Sequence, residues 1–388
     1  MKAYHTLAFK IFIVLASPLL FLSSTKERTD DEIQDRATML KILTKSLENE
    51  LLDVWYPRNF DSLYGGYKTM YTYNWKETGD QRKMIVSQAR HMWVNSKSHE
   101  MDPTDKRYRY GASLGLRMLK DHMWDTAFGG FYTLMSREGT PIDQSKNAHG
   151  NSFAIFALAA YYKAFQDPDA LKLAQKAFQW LEKNSHDAEF GGYHQHLNRD
   201  GSKIFRYNKI DTWAEMGYKD QNSSIHLLEA FTELYQVWPD PVLRERLNEM
   251  LVLIRDTIVT KEGYLQLFFT RDWRPVSYRD SVAKVQRRHV HLDQVSFGHD
   301  VETAFLMLEA SHVLQIHDDK LTLKIAKKLL DHSLQYGWDQ KAGGFYDGGY
   351  YFAGQSKPQI LFDTKNWWAQ PRGLTRCCCL LRNSRVIP

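Results

Sequence analysis

A histidine and a glutamate three residues apart, His299 and Glu302, open a strongly apolar run that continues through Phe305, Leu306, Leu308 and Leu314. Three-residue spacing on a helix makes the two side chains neighbours. An imidazole and a carboxylate then stand together at the end of an apolar rod, where they could take a proton from a bound molecule and return it near neutral pH. A satisfied core histidine would give the same pattern. Gly298, just before the pair, lets the chain approach something closely. A second set, Asn222, His226 and Glu229, falls at i, i+4 and i+7 on one helical face, as the wall of a pocket should. For Glu229 the alternative is a structural partner of a neighbouring helix.

The elements that must carry these residues are helices in pairs. Amphipathic patterns cover 31–55, 80–98, 105–122, 147–166, 169–184, 219–238, 241–259, 298–317 and 320–337. Between them recurs a short phrase with a leading Asp, two glycines and an aromatic: Asp61 with Gly65, Gly66 and Tyr67; Asp125 with Gly129, Gly130 and Phe131; Asp187 with Gly191, Gly192 and Tyr193; Asp339 with Gly343, Gly344 and Phe345. Lys261-Glu262-Gly263-Tyr264 reads as a worn copy. A phrase repeated in this way marks an internal repeat. One helix pair with its Gly-Gly hairpin cannot bury its own apolar face, and stacking such pairs in a closed ring does. The expectation is an all-α toroid with short β-hairpins on one rim.

Composition narrows the function. The 388 residues are 43% apolar, enough for a large core, and the 11 Trp and 21 Tyr offer flat hydrogen-bonding faces of the kind that pack on a pyranose. An aromatic core would use the same residues. The net charge of +5 is concentrated at the ends: Lys2 and Lys10 lie in residues 1–22, Arg372, Arg376, Arg382 and Arg385 in 371–388, and the body between carries −1. A nearly neutral body has no electrostatic footprint for nucleic acid. Lys2, Lys10 and the apolar stretch 11–22 have the form of a secretory signal, so 1–24 is expected to be a signal peptide, the protein exported to the periplasm or medium, and membrane contact limited to export. All three cysteines, Cys377, Cys378 and Cys379, are adjacent and poorly spaced for a tetrahedral metal site. Three other motifs carry no chemistry here. Gly111-Ala112-Ser113-Leu114-Gly115 lies inside a helical pattern and not on a strand-to-helix elbow, and the His289/His291 and His194/His196 pairs, lacking further ligands nearby, are expected to be exposed loop histidines.

Five segments together give the chain its resemblance: Gln88-Ala89-Arg90, His149 to Ala154, Asn222 to Ala230, Gly298 to Glu302, and Trp367-Trp368-Ala369-Gln370. From about residue 35 to Gln370 the chain resembles the N-acylglucosamine 2-epimerase family, which includes cellobiose 2-epimerases and mannose-type aldose–ketose isomerases. The resemblance implies an (α/α)6 barrel over 25–370 with the sugar in its mouth and no metal or cofactor. It implies that Arg90 holds O1 and O2, that Asn222 and His226 line the pocket with Glu229 and His149, and that Trp367 or Trp368 stacks on the sugar. His299 would be one of two histidines acting on the C2 proton, with Glu302 beside it and His226 within the catalytic group. The expected substrate is a small reducing sugar, whether N-acylglucosamine, glucose or mannose, or a disaccharide.

That chemistry suits the residue types. Inverting or moving the hydrogen at C2 needs an open aldehyde, removal of a weakly acidic C–H and a stabilised ene-diolate, for which neutral imidazoles and an arginine fork are apt. The reading is a sugar 2-epimerase, with an aldose–ketose isomerase as the alternative and, from other classes, a sugar-binding remnant without turnover or a two-carboxylate glycoside hydrolase. Two departures stand out. The family often has Tyr where this chain has His149, and its second acid/base histidine follows the Trp-Trp-x-Gln segment, whereas the last histidine here is His332. Residues 371–388 show neither helical period nor turn logic. One codon choice for Pro371 to Asn383, preceded by one added base, reads Ala-Glu-Gly-Leu-Asn-Ala-Leu-Leu-Leu-Leu-Ile-Ala-Glu, an amphipathic helix, so the tail is expected to be frameshifted and the last helices lost.

Overall fold

In the computed structural model, residues 30–206 and 215–372 are described, with side chains from residue 38 onward. The order of elements explains itself as four variations on one unit, with one further outer helix in front. A helix that begins directly after a two-residue strand runs inward, and its partner returns along the outside. The inner helices are α2 (Ile85–Met101), α4 (Ala148–Phe165), α6 (Gln221–Tyr235) and α9 (Phe297–Val313). Outside them lie α1 (Asp30–Lys45, prolonged by wider turns to Trp55), α3 (Lys106–Arg117), α5 (Pro168–Asn184), α7 (Pro241–Leu253) and α10 (Lys320–Tyr336). Each inner helix packs on its outer partner, α2 on α3, α4 on α5, α6 on α7 and α9 on α10, and the inner ones pack side by side in the order α2, α4, α6, α9.

Sequence decides which ring a helix joins. The α4 run Ala157, Leu158, Ala159, Ala160 is wholly buried, apolar all round as a helix between two layers must be. Outer helices are one-sided; α5 buries Leu173, Ala174, Ala177, Phe178 and Leu181 and turns its lysines out. The outer helices also carry the plainer start signals: Asp167 and Asp240 cap α5 and α7 through their carboxylates, each with Pro at the first helical position. Gly111 and Gly115 let α3 close on α2, where an added Cβ would meet Asn95 and Met92 at 2.2 and 2.6 Å. Ser113 is an ordinary helical serine bonded to Tyr110 O at 2.7 Å.

The hairpins share one rim with the inner-helix N-termini. Strand β1 (Lys83–Met84) pairs with β2 (Leu134–Met135) and β2 with β3 (Pro141–Asp143); β4 (Lys146–Asn147) pairs with β5 (His196–Leu197), β6 (Lys219–Asp220) with β7 (Phe268–Phe269), all antiparallel. The fourth join is the single bridge Val295 to Gly349, in front of α9. Each Asp-Gly-Gly phrase folds the same way: Gly65 N–H donates to Asp61 O at 2.8 Å, and Gly129, Gly191 and Gly343 repeat the bond to Asp125, Asp187 and Asp339. The aspartate side chain turns inward. Asp61 lies 3.2 Å from Lys83 and 2.9 Å from Arg137, Asp125 3.1 and 2.9 Å from Lys146 and Arg199, and Asp187 3.0 and 2.9 Å from Lys219 and Arg271. Burial alone would raise these carboxylates; the arginine and lysine override it and hold all three below the ordinary range.

A second pin ties four of the hairpins to the next inner-helix position, while in the Asp187 hairpin Gly192 N–H donates instead to Glu249 Oε1 at 2.7 Å. Tyr67 N–H donates to Gln88 Oε1 at 2.8 Å, Phe131 to Asn151 at 3.1 Å, Leu265 to Asp300 at 2.9 Å and Phe345 to Gln370 at 2.8 Å. The worn copy at Gly263 is therefore a true repeat, one residue shorter, with Val259 bridged to Leu265 where Trp124 is bridged to Phe131. This is the layout of an (α/α)6 barrel with hairpins on one rim. The structure adds α8 (Ala283–Asp293), absent from the expected helices. His289 and His291 lie on it, and His289 is buried, its ring stacked 4.2 Å from Tyr278. His194 is buried as well, 3.2 Å from Asp187. The expectation of exposed loop histidines is thus wrong for both pairs: the flat imidazole fills aromatic and ionic gaps beside the rim. The expected signal peptide, 1–24, and the part of the expected frameshifted tail, 371–388, that follows residue 372 lie outside the described residues. No described helix is long and apolar enough to cross a membrane.

Candidate functional site

The repeat register predicts which side chains meet. Counting two residues on from the pins Gln88, Asn151, Asp300 and Gln370, and from Ser224 at the same place in α6, gives Arg90, Phe153, Glu302, Arg372 and His226. Half a turn of helix from the pin, these turn from the hairpin to the barrel axis. They converge there: the Arg90 guanidinium lies 4.3 Å over the Phe153 ring, the Phe153 ring is 4.6 Å from His226, and Glu302 forms an ion pair with Arg372.

Around this group stand the remaining site residues. The His149 ring lies 5.2 Å from His226 and 5.0 Å from Phe153, and it interacts electrostatically with Arg90, His299 and Glu229. His226 Nδ1 is 2.9 Å from Glu229 Oε2. A carboxylate only accepts, so Nδ1 carries the proton and Nε2 keeps its lone pair. His299 Nδ1 lies 2.8 Å from Ser296 Oγ, which fixes that ring, and its face meets Trp368 at 4.8 Å. Gly298 permits the contact: an added Cβ would come 2.7 Å from the Trp368 ring and from Ala369. Trp367, by contrast, is 77% exposed. Asn222 is half-buried in the first turn of α6, one turn before His226.

Burial dominates the electrostatics. It drives His299 down to about 3, with His226, Arg372 and Arg90 adding to the effect, and His226 down to about 4 against the pull of Glu229. His149 is pushed well below its ordinary value by burial and then by His226. All three imidazoles are neutral at pH 7, the form that accepts a proton. His226, Glu229 and Glu302 place one possible metal-ligand atom each within 4.8 Å of one another. A cation there would compete with Arg372 for Glu302 and feel Arg90 close by.

Phe153, Ser296 and Arg372 are the members that sequence reasoning missed. The first stood inside a quoted segment; counting from the pins would have found Phe153 and Arg372. Two hollows adjoin the barrel. One of about 200 Å3 lies beside His149, between Met84, Thr133, Asn147, Gln195 and His196. A larger cleft of about 450 Å3 lies on the outer wall by Phe178, Glu182 and Trp238, with no axial residue in it.

Comparison with known proteins points the same way. The profile of the N-acylglucosamine 2-epimerase family matches residues 65–384. A cellobiose 2-epimerase of Bacteroides fragilis is 31% identical over 278 residues, 70% of this chain and 65% of its own length, so the alignment spans just under two thirds of that relative. The structure of cellobiose 2-epimerase from Spirochaeta thermophila superposes with a TM-score of 0.63 at 21% identity, covering 90% of this chain and 97% of the other. A D-mannose isomerase structure superposes with a TM-score of 0.75 at 19% identity, covering 89% and 82%. These two share the fold. With the family profile running through all five inward-facing positions, the chain belongs to the N-acylglucosamine 2-epimerase family, whose relatives matched here are carbohydrate epimerases and isomerases.

Proposed function

We propose that this protein is a sugar 2-epimerase that inverts C2 of a reducing sugar through an ene-diolate, using histidines of the axial cluster. The observation that carries the reading is three neutral imidazoles around one arginine at the mouth of the barrel. With the aldehyde open, His299 takes the C2 hydrogen as a proton and the C–H electron pair forms the C1=C2 bond. The carbonyl electrons pass to O1, where the Arg90 fork meets the developing charge. His226, oriented by Glu229, offers Nε2 to a hydroxyl proton of the sugar, as ring opening requires. Trp368 supplies the stacking face beside His299. Proton return to the opposite face of C2 gives the epimer; return to C1 would give the ketose, the aldose–ketose isomerase reading.

Glycoside hydrolysis is disfavoured because Glu229, one of the two axial carboxylates, is held by His226. Residues 1–24 are read as an export signal and the tail from Pro371 as frameshifted. N-terminal sequencing of the exported protein and resequencing of the codons for Trp368 to Arg372 test these two points. The activity test is incubation with glucose, mannose, N-acetylglucosamine and cellobiose, with products separated by chromatography. Appearance of the C2 epimer supports the reading, ketose alone moves it to isomerase, and release of monosaccharide from cellobiose overturns it.

A further inference from the structure

Among the described helices, those that follow an aspartate or an asparagine are capped by it. Asp105, Asn147, Asp167, Asp220, Asp240 and Asp319 each accept a backbone N–H from the first turn of α3, α4, α5, α6, α7 and α10. Ser296 stands at the same place before α9, and its side chain makes no such bond. A serine there ordinarily takes the N–H of the second or third helical residue. In α9 its Oγ lies 2.8 Å from Nδ1 of the third, His299. The hydroxyl that could cap the helix is turned to an imidazole instead. The backbone of Ser296 is held on both sides: Val295 and Gly349 exchange backbone bonds of 2.8 and 3.1 Å just before it, and its own carbonyl accepts Asp300 N–H at 3.1 Å. Its oxygen is therefore placed before any ligand arrives, and the face of the ring it orients meets Trp368 at 4.8 Å.

We propose that Ser296 is a positioning residue that sets the tautomer of His299: its Oγ accepts the Nδ1 proton and so leaves Nε2 as the nitrogen with the lone pair. The inference rests on the epimerase reading, in which His299 takes the C2 proton. A hydroxyl can donate or accept, and the two choices have opposite consequences. If Ser296 donated to Nδ1, Nε2 would carry the proton and the ring could take nothing from a sugar. With Ser296 accepting, one bond serves both the neutral ring and the imidazolium that forms when Nε2 is protonated, and it strengthens as that charge develops. The balance is a single proton: it passes from C2 to Nε2, the C–H electron pair stays in the ene-diolate, and the Nδ1–H bond to Ser296 is unchanged throughout. His226 has the corresponding arrangement with the Glu229 carboxylate at 2.9 Å, so the same nitrogen is left for chemistry in both rings.

Two readouts separate this role from mere support of the helix. Ser296→Ala is expected to lower kcat per folded molecule by about 10- to 100-fold, the worth of a hydrogen bond to a charged group, with KM held within about twofold. The tautomer itself is read by NMR of protein carrying 15N-labelled histidine, the His299 signals being those lost in His299→Asn. Wild type is expected to show the proton on Nδ1, and Ser296→Ala to show it moved to Nε2 in part or in whole. A wild-type His299 protonated on Nε2 overturns the proposal, as does a kcat per folded molecule within about threefold of wild type or a loss confined to KM. Should Ser296→Ala not fold, the wild-type spectrum decides alone. Absence of C2 exchange in 2H2O with the wild-type protein would overturn the epimerase reading, while the spectrum still reports the tautomer, so the two failures are distinct.

Discussion

The same inner helices bury charge in two ways, a few residues apart. At the rim, Asp125 is met by Lys146, Arg199 and the backbone N–H of Ala127, and Lys146 also reaches Gly129 O at 2.6 Å. At the axis, Arg90 lies on the Phe153 ring with Glu229 as an electrostatic partner, and the imidazoles of His149, His226 and His299 stand close by. The rim triads saturate their partners and recur three times with the same residue types. The axial positions recur in the same register with different types: Arg90, Phe153, His226, Glu302. Repetition with fixed chemistry marks the scaffold, and repetition with varied chemistry marks the site. The hairpin at Gly263 has no aspartate triad and keeps only the pin, from Asp300, a carboxyl raised by burial that accepts the Leu265 N–H.

If the distinction holds, substitutions at the axis should change turnover and leave stability alone, and those at the rim should do the reverse. His299→Asn should cost about 10²- to 10⁴-fold in turnover with the melting temperature unchanged. Asp187→Ala, which strands Lys219 and Arg271, should cost about 3–5 kcal/mol of stability by chemical denaturation, with activity per folded molecule retained. Arg90→Lys keeps the charge and loses the fork; it should cost about 1.5–3 kcal/mol in the barrier, read as a drop in kcat larger than the change in KM.

The pH dependence sharpens the comparison further. The axial histidines have folded values below the unfolded one, so their stabilisation is complete above pH of about 6.5 and is lost as pH falls toward about 4 for His226 and 3 for His299. The rim aspartates, also held low, keep their contribution down to pH of about 4 and lose it only below. Denaturation midpoints between pH 7 and 3 should fall in these two stages, with the upper one smaller in His226→Asn.

Much of this was legible in the chain. The Asp-Gly-Gly phrase gave the repeat because a hairpin at positive φ needs glycine, as at Gly66, whose Cβ would strike Gln88 Oε1 at 2.5 Å. The helix pairs followed from their apolar periods, and α8 did not, because its charged residues and histidines hide one short buried face of His289 and Leu292. Arg90, His149, His226, Glu229, His299 and Glu302 were found as residue types in quoted segments. Their assembly could not be read from spacing alone, since it comes from four helices meeting. The choice between Trp367 and Trp368 likewise depends on which ring Gly298 admits.

The central claim is that the axial cluster moves the C2 proton. It is tested most directly by incubating the protein with the candidate sugars in 2H2O and following the C2–H signal by proton NMR. The account predicts loss of that signal in at least one sugar with wild-type protein and with Asp187→Asn, and at least about 100-fold slower loss of it in one epimer with His299→Asn. An undiminished C2–H signal in every sugar, or exchange that His299→Asn leaves untouched in both epimers, would contradict it.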